Sequence, residues 1–201
     1  MSKTTIPTGG ITDGTIATGD IADDAIGNTK LDLTADYAFT GTITGTPGIT
    51  IADQWRVNSD FTGDNSPISS NWEQIDTSGQ GTLGTAMSQS SGIFTFPSTG
   101  IYLVTFQLTY YAGNDNSRTD FSIAVTVNNS DYNNVALGQV NGHSGGNNAY
   151  ATSFINCIID VTSTTNVKVR FNNNNQNNGN TIQGNTNYNA TGATFIRLGD
   201  T

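Results

Sequence analysis

Gly92-Ile-Phe-Thr-Phe-Pro-Ser-Thr-Gly100-Ile-Tyr-Leu-Val-Thr-Phe106 carries the pattern that decides the fold. Phe94 and Phe96 stand two apart, and so do Tyr102, Val104, Phe106 and Leu108 further on. On an extended chain successive side chains point to opposite faces, so each set shares one face. Thr95, Thr105 and Gln107 alternate with them, as on a strand buried on one side only. Pro97-Ser-Thr-Gly100 breaks the two runs with turn residues. The stretch therefore predicts two strands joined by a tight connection.

The same texture extends in both directions. Strand-type runs are predicted at Gln54–Asn58, Trp72–Asp76, Ile93–Phe96, Ile101–Tyr111, Phe121–Val127, Val135–Val140, Tyr150–Val161, Asn166–Phe171 and Thr194–Leu198. Phe121, Ile123, Val125 and Val127 form one column; Val167, Val169 and Phe171 form another. No stretch holds a helical period of useful length. Many short strands without helices imply an all-β antiparallel sandwich or barrel with one core. Loops rich in Asn and Gly are expected at 112–119, 128–134, 141–148 and 172–180. Asn tolerates left-handed backbone and bonds its own main chain, which orders such loops without a core.

Composition narrows the function classes. The 201 residues carry a formal charge of −9, and only 11% are charged. The seven basic residues, Lys3, Lys30, Arg56, Arg118, Lys168, Arg170 and Arg197, are scattered, which argues against nucleic-acid binding. Cys157 is the one cysteine, so no internal disulfide framework exists. It lies in the apolar run Phe154-Ile-Asn-Cys-Ile-Ile159 and reads as a small buried side chain. The N-terminus has no apolar signal core and no run reaches membrane-spanning length, so no membrane insertion is expected.

The first 34 residues follow a different rule. Ile6, Ile11, Ile16, Ile21, Ile26 and Leu31 stand five residues apart. A helix turns about 140° over five residues and a flat strand reverses its face, so neither keeps this column on one side. Gly9, Gly14 and Gly19, then Asp24 and Thr29, follow the column at a fixed offset and supply the turn that resets the chain. One Ile per pentad cannot bury itself within a single chain. Several chains sharing a core, an extended arm on a larger partner, and a disordered tail all remain open. The organisation expected is thus a pentad-repeat stalk or attachment segment at 1–34, a Gly/Thr-rich connector at 35–50, and a β head at 51–201.

The stretch that opens this section resembles the signature of the C1q/TNF-like jelly-roll superfamily, in which G-x-F-x-F leads through a Pro/Gly turn into G-x-Y-x-V/F-x-F. The matching positions are Gly92, Phe94, Phe96, Gly100, Tyr102 and Phe106. Phe154–Phe171 and Ala193–Leu198 resemble later strands of that family, although the turn here is Pro-Ser-Thr-Gly rather than Pro-Gly. The stalk segments Asp13–Ile26 and Tyr37–Thr46 resemble stalks of bacteriophage tail fibres, especially those of marine phages. Together the resemblances imply a homotrimeric virion fibre, made in the host cytoplasm and exposed on the particle. Its N-terminus would attach to other virion proteins, and its C-terminal jelly-roll head would meet a host glycan or protein.

Catalysis has little support. His143, the only histidine, has Ser144 beside it but no third group to orient a base. None of the carboxylates sits in a telling pair for glycoside hydrolysis. No metal or cofactor is expected, although Gly113–Ser117 is oxygen-rich and some C1q-like trimers bind Ca²⁺. Recognition is assigned to the loops: Asn114, Asp115, Asn116, Tyr132, Asn133, His143, Asn147, Asn174, Asn177 and Tyr188, where tyrosine faces stand beside amides that donate and accept. Tyr110 and Tyr150 have the same chemistry, with core or sheet-face packing as their alternative. The expectation is therefore a structural, non-enzymatic attachment protein. The alternatives are a capsid decoration protein or head fibre, and a spike depolymerase.

Overall fold

The computed structural model describes residues 48–112, 117–142, 149–175 and 180–201. The pentad column Ile6 to Leu31 lies outside these residues, as do Asn114, Asp115, Asn116, His143, Asn147 and Asn177.

The described chain is all-β. Twelve strands run β1 (Ala52–Val57), β2 (Phe61–Thr62), β3 (Trp72–Gln74), β4 (Ser88–Ser90), β5 (Ile93–Thr95), β6 (Gly100–Ala112), β7 (Ser117–Thr126), β8 (Asn133–Gly142), β9 (Ala149–Val161), β10 (Lys168–Asn175), β11 (Thr181–Ile182) and β12 (Gly192–Gly199). They form two antiparallel sheets. In the first, β6 is central: β9 pairs with it over its whole length from Gly100 to Ala112. Its other edge takes β12 at Ile101–Gln107 and β11 at Tyr110–Tyr111. β1 and β3 continue beyond β12, and β2 beyond β11. The second sheet runs β4-β5-β10-β7-β8.

The core is the sum of the alternating columns. Phe94, Phe96, Tyr102, Val104, Phe106, Leu108, Phe121, Ile123, Val169, Phe171 and Phe195 are all essentially inaccessible. Phe171 stands at the centre. Its ring lies 4.7 Å from Phe106, 5.4 Å from Phe94 and 5.6 Å from Trp72, so aromatic packing joins the two sheets. Each such pair adds about 0.5–1.5 kcal/mol beyond the area it buries. Gly92 sits before β5 at φ +78°, where a Cβ would lie 2.0 Å from the Ile68 carbonyl oxygen, so only Gly fits.

Two buried charges fix the edge of the first sheet. Asp53 is 1% exposed and accepts from the Gln54, Met87, Trp55, Gln74 and Thr82 donors, which ties the segment after β3 back onto β1. Arg56 is wholly buried and donates to Glu73, Asp76 and Thr77. A guanidinium in such a place holds only because its donors are matched.

Several expectations change. A loop is predicted at 172–180, yet β10 continues through Asn175. The reason is pairing: Asn173 bridges Asn65 in the main chain, and its side chain donates to the Gly63 carbonyl at 2.9 Å. Strand β7 begins at Ser117 and β8 spans Asn133–Gly142, so the predicted loops at 112–119, 128–134 and 141–148 are shorter. Val127 does not join the inward column; it lies beyond the end of β7 and is exposed. Tyr110 faces the core, as the packing reading of its column has it. The short strands β2, β4 and β11 have no sequence signal of their own.

Candidate interaction surfaces

Strand β9 alternates with an asymmetry that its apolar sequence hides. Its inward column, including Ile155, Cys157, Ile159 and Val161, packs on the core. Its outward column leaves Tyr150 66%, Phe154 68% and Ile158 67% exposed. Across β6 the register sets Tyr111 beside Tyr150, Gln107 beside Phe154 and Leu103 beside Ile158. The Tyr111 and Tyr150 ring centroids are 5.1 Å apart, and the Thr109 and Thr152 hydroxyls are hydrogen-bonded at 2.8 Å. On β12 Ile196 pairs with Leu103 and extends the apolar row. Asp160 is the single charge in the outward columns of β6 and β9. A face rich in aromatic and branched side chains and nearly free of charge has the composition of an interface core. Cys157 faces the other way, half-buried against the core, and burial pushes its thiol up to about 11, which keeps it protonated at neutral pH.

The outer face of the second sheet is of another kind. Register brings Asn172 beside Ser122 and Ser122 beside Leu137; Asn174 pairs with Asp120 in the same way. The Asn172 amide donates to the Ser122 hydroxyl at 3.0 Å, which in turn donates to Asn134 at 3.0 Å. Tyr132, just before β8, folds over β10 so that the Arg170 guanidinium lies 4.3 Å from its ring centroid. These groups line a groove of about 440 Å³. The Tyr132 hydroxyl is buried without a hydrogen-bond partner among the described residues; burial raises its pKa, and the Arg170 charge opposes the rise.

Tyr132, Asn133 and Asn174 therefore share one groove. Tyr188 does not; it is exposed on the connection between β11 and β12. Arg170, Ser122, Asn134 and Leu137 also line the groove, and the sequence does not mark them as a set. The available signal was that Lys168 and Arg170 occupy the column alternating with Val167, Val169 and Phe171. Among the described residues no group of three or more His, Cys, Asp or Glu is placed to hold a metal ion.

Comparison with known proteins adds the fold. Neither a protein-family model nor a curated protein matches this chain. Among solved structures, Eiger TNF from S. frugiperda aligns with a TM-score of 0.55 at 13% identity, over 77% of this chain and 96% of that one. Murine APRIL aligns with a TM-score of 0.51 at 9% identity, over 74% and 98%. At such identities the likeness concerns the fold: the head is a TNF-like jelly roll, in keeping with the C1q/TNF-like motif around Gly92–Phe106.

Proposed function

We propose that this chain is a homotrimeric virion fibre protein, non-enzymatic, whose jelly-roll head assembles through the outer face of β6, β9 and β12 and binds the surface of a host cell. The observation that carries the assembly is the exposed column Tyr150, Phe154 and Ile158 on a nearly uncharged sheet face. A long edge strand with an open apolar face is an aggregation hazard unless a partner covers it. Closed association of identical copies covers it with a defined stoichiometry. The TNF-like fold and the phage-fibre resemblance of the N-terminal pentads support the same reading, in which the pentads attach the protein to the particle.

The test is the mass of the full chain in solution by light scattering. Three copies of 21.1 kDa give about 63 kDa. Phe154→Glu with Ile158→Glu places six charges in the buried face of a trimer and should give monomers of unchanged β content. A wild-type monomer, or a double variant that stays trimeric, would remove β9 from the interface. Immunogold labelling of particles then separates tail location from scattered label on the capsid, the latter favouring decoration.

A further inference from the structure

The positive charge of the head is unevenly employed. Among the described residues Arg56 is held by Glu73 and Asp76, Arg118 by Asp120, and Arg197 by Asp200. Lys168 and Arg170 have no carboxylate partner among those residues, and both lie on the outward column of β10, two residues apart. Lys168 donates to the Thr95 hydroxyl at 2.9 Å. Among the described residues the Arg170 side chain has no hydrogen-bond partner: its Nε is inaccessible to solvent, and its guanidinium rests on Tyr132. In a chain of net charge −9 this is an unusual place for an unpaired cation. The groove around it is lined by mostly neutral groups. Asn172 and Asn134 carry amides able both to donate and to accept; Ser122 adds a hydroxyl and Leu137 an exposed apolar side chain. Asp120, the acid of the groove, is turned onto Arg118 at 3.0 Å.

We infer that the Tyr132–Arg170 groove binds an acidic saccharide, with the sugar carboxylate on the Arg170 guanidinium and the ring hydroxyls on the asparagine amides. A guanidinium matches the fork of a carboxylate, and a bond between charged partners is about twice as strong as one between neutral ones. The amides match hydroxyls, each of which also donates and accepts. Tyr132 and Leu137 offer apolar surface to the C–H face of a pyranose. The groove's volume of about 440 Å³ lies within the range of about 300–1,000 Å³ typical of small-ligand sites. A polyphosphate or nucleic acid would need a longer run of cations than Lys168 and Arg170. The inference deepens the attachment reading by naming the class of host molecule, and it rests on that reading only for its place in infection.

The test uses the full-length protein and calorimetric titration with the methyl glycosides of glucuronic acid, galacturonic acid and N-acetylneuraminic acid. Methyl glucoside and methyl galactoside are the neutral controls. Saturable binding of at least one acidic glycoside is expected, at least tenfold tighter than its neutral counterpart and weakened severalfold between 50 and 500 mM salt, estimates that follow from loss and screening of one charged contact. Arg170→Gln should weaken binding about tenfold or more, a loss of one charge-assisted pair. Leu83→Ala, an exposed side chain between β3 and β4 that does not line the groove, should not change it. Absence of saturable binding by all three acids overturns the inference, as does equal binding of the neutral sugars; these comparisons need no variant. Adsorption of labelled protein to host cells reads the parent proposal separately. Cell binding without acid binding in solution refutes the groove and keeps attachment. Acid binding in solution without cell binding refutes attachment and keeps the groove.

Discussion

Replacing Asp53 by Asn changes one oxygen to an amino group and tests whether the carboxylate pins the segment between β3 and β4. Oδ1 accepts from Gln54 N at 2.9 Å, Gln74 Nε2 at 3.0 Å and Thr82 Oγ1 at 3.1 Å. Oδ2 accepts from Trp55 Nε1 at 2.9 Å and Met87 N at 2.8 Å. An amide at this site can serve only one of these sets. The better orientation turns its amino group toward Gln74 and Thr82, which can reverse their roles, and leaves the Gln54 N–H facing a donor. That orphan costs about 1–3 kcal/mol, and the two remaining bonds lose their charge assistance. The sum is about 2–4 kcal/mol. Urea unfolding at fixed protein concentration measures it, with the slope checked for constancy. Hydrogen exchange adds a local signature: the Met87 amide should exchange faster while the β7 and β10 amides keep their protection. A loss below about 1 kcal/mol would show that the five donors are satisfied equally well by a neutral group.

Four further outcomes are expected. Phe171→Ala removes the ring that meets Phe106, Phe94 and Trp72 and should cost about 3–5 kcal/mol in the same assay. Because burial raises the Cys157 thiol to about 11 from 9.0, alkylation by iodoacetamide at pH 8 should run about a hundredfold slower than for a free thiol. The same shift means the folded state holds its proton more tightly. The stabilisation from Cys157 is complete below pH 9 and falls as pH rises toward 11, a decline that Cys157→Ala should lack. Ile16→Asp with Ile21→Asp should abolish incorporation into particles while leaving the β content of the head intact; normal incorporation would remove the pentad column from attachment.

The inward columns were legible because each is written in consecutive alternate residues: Phe94 with Phe96, Tyr102 through Leu108, Phe121 through Val125. Local sequence fails where partners are distant. β11 is two residues long and exists because Thr181 and Ile182 pair with Tyr111 and Tyr110. Asn172–Asn175 has turn composition but extended structure, since Gly63, Asp64 and Asn65 satisfy its amides from more than a hundred residues away. The β9 stripe was hidden for the opposite reason. Phe154-Ile-Asn-Cys-Ile-Ile159 is apolar on both faces, so the sequence does not distinguish the buried face from the open one. The groove draws on β7, β8, β10 and Ser66, and the stacking of Arg170 on Tyr132 is set by the fold alone.

The apolar stripe and the groove belong to different sheets, with the Phe106–Phe171 contact in the core between them. An assembly closed only through the first sheets of its copies would leave every groove open. On the proposed function valency would follow from the layout: several weak sites on one trimer would act at a high effective concentration on a surface that repeats the same sugar. Avidity of this kind would favour dense surfaces over sparse ones and let single contacts break and re-form without loss of the whole attachment.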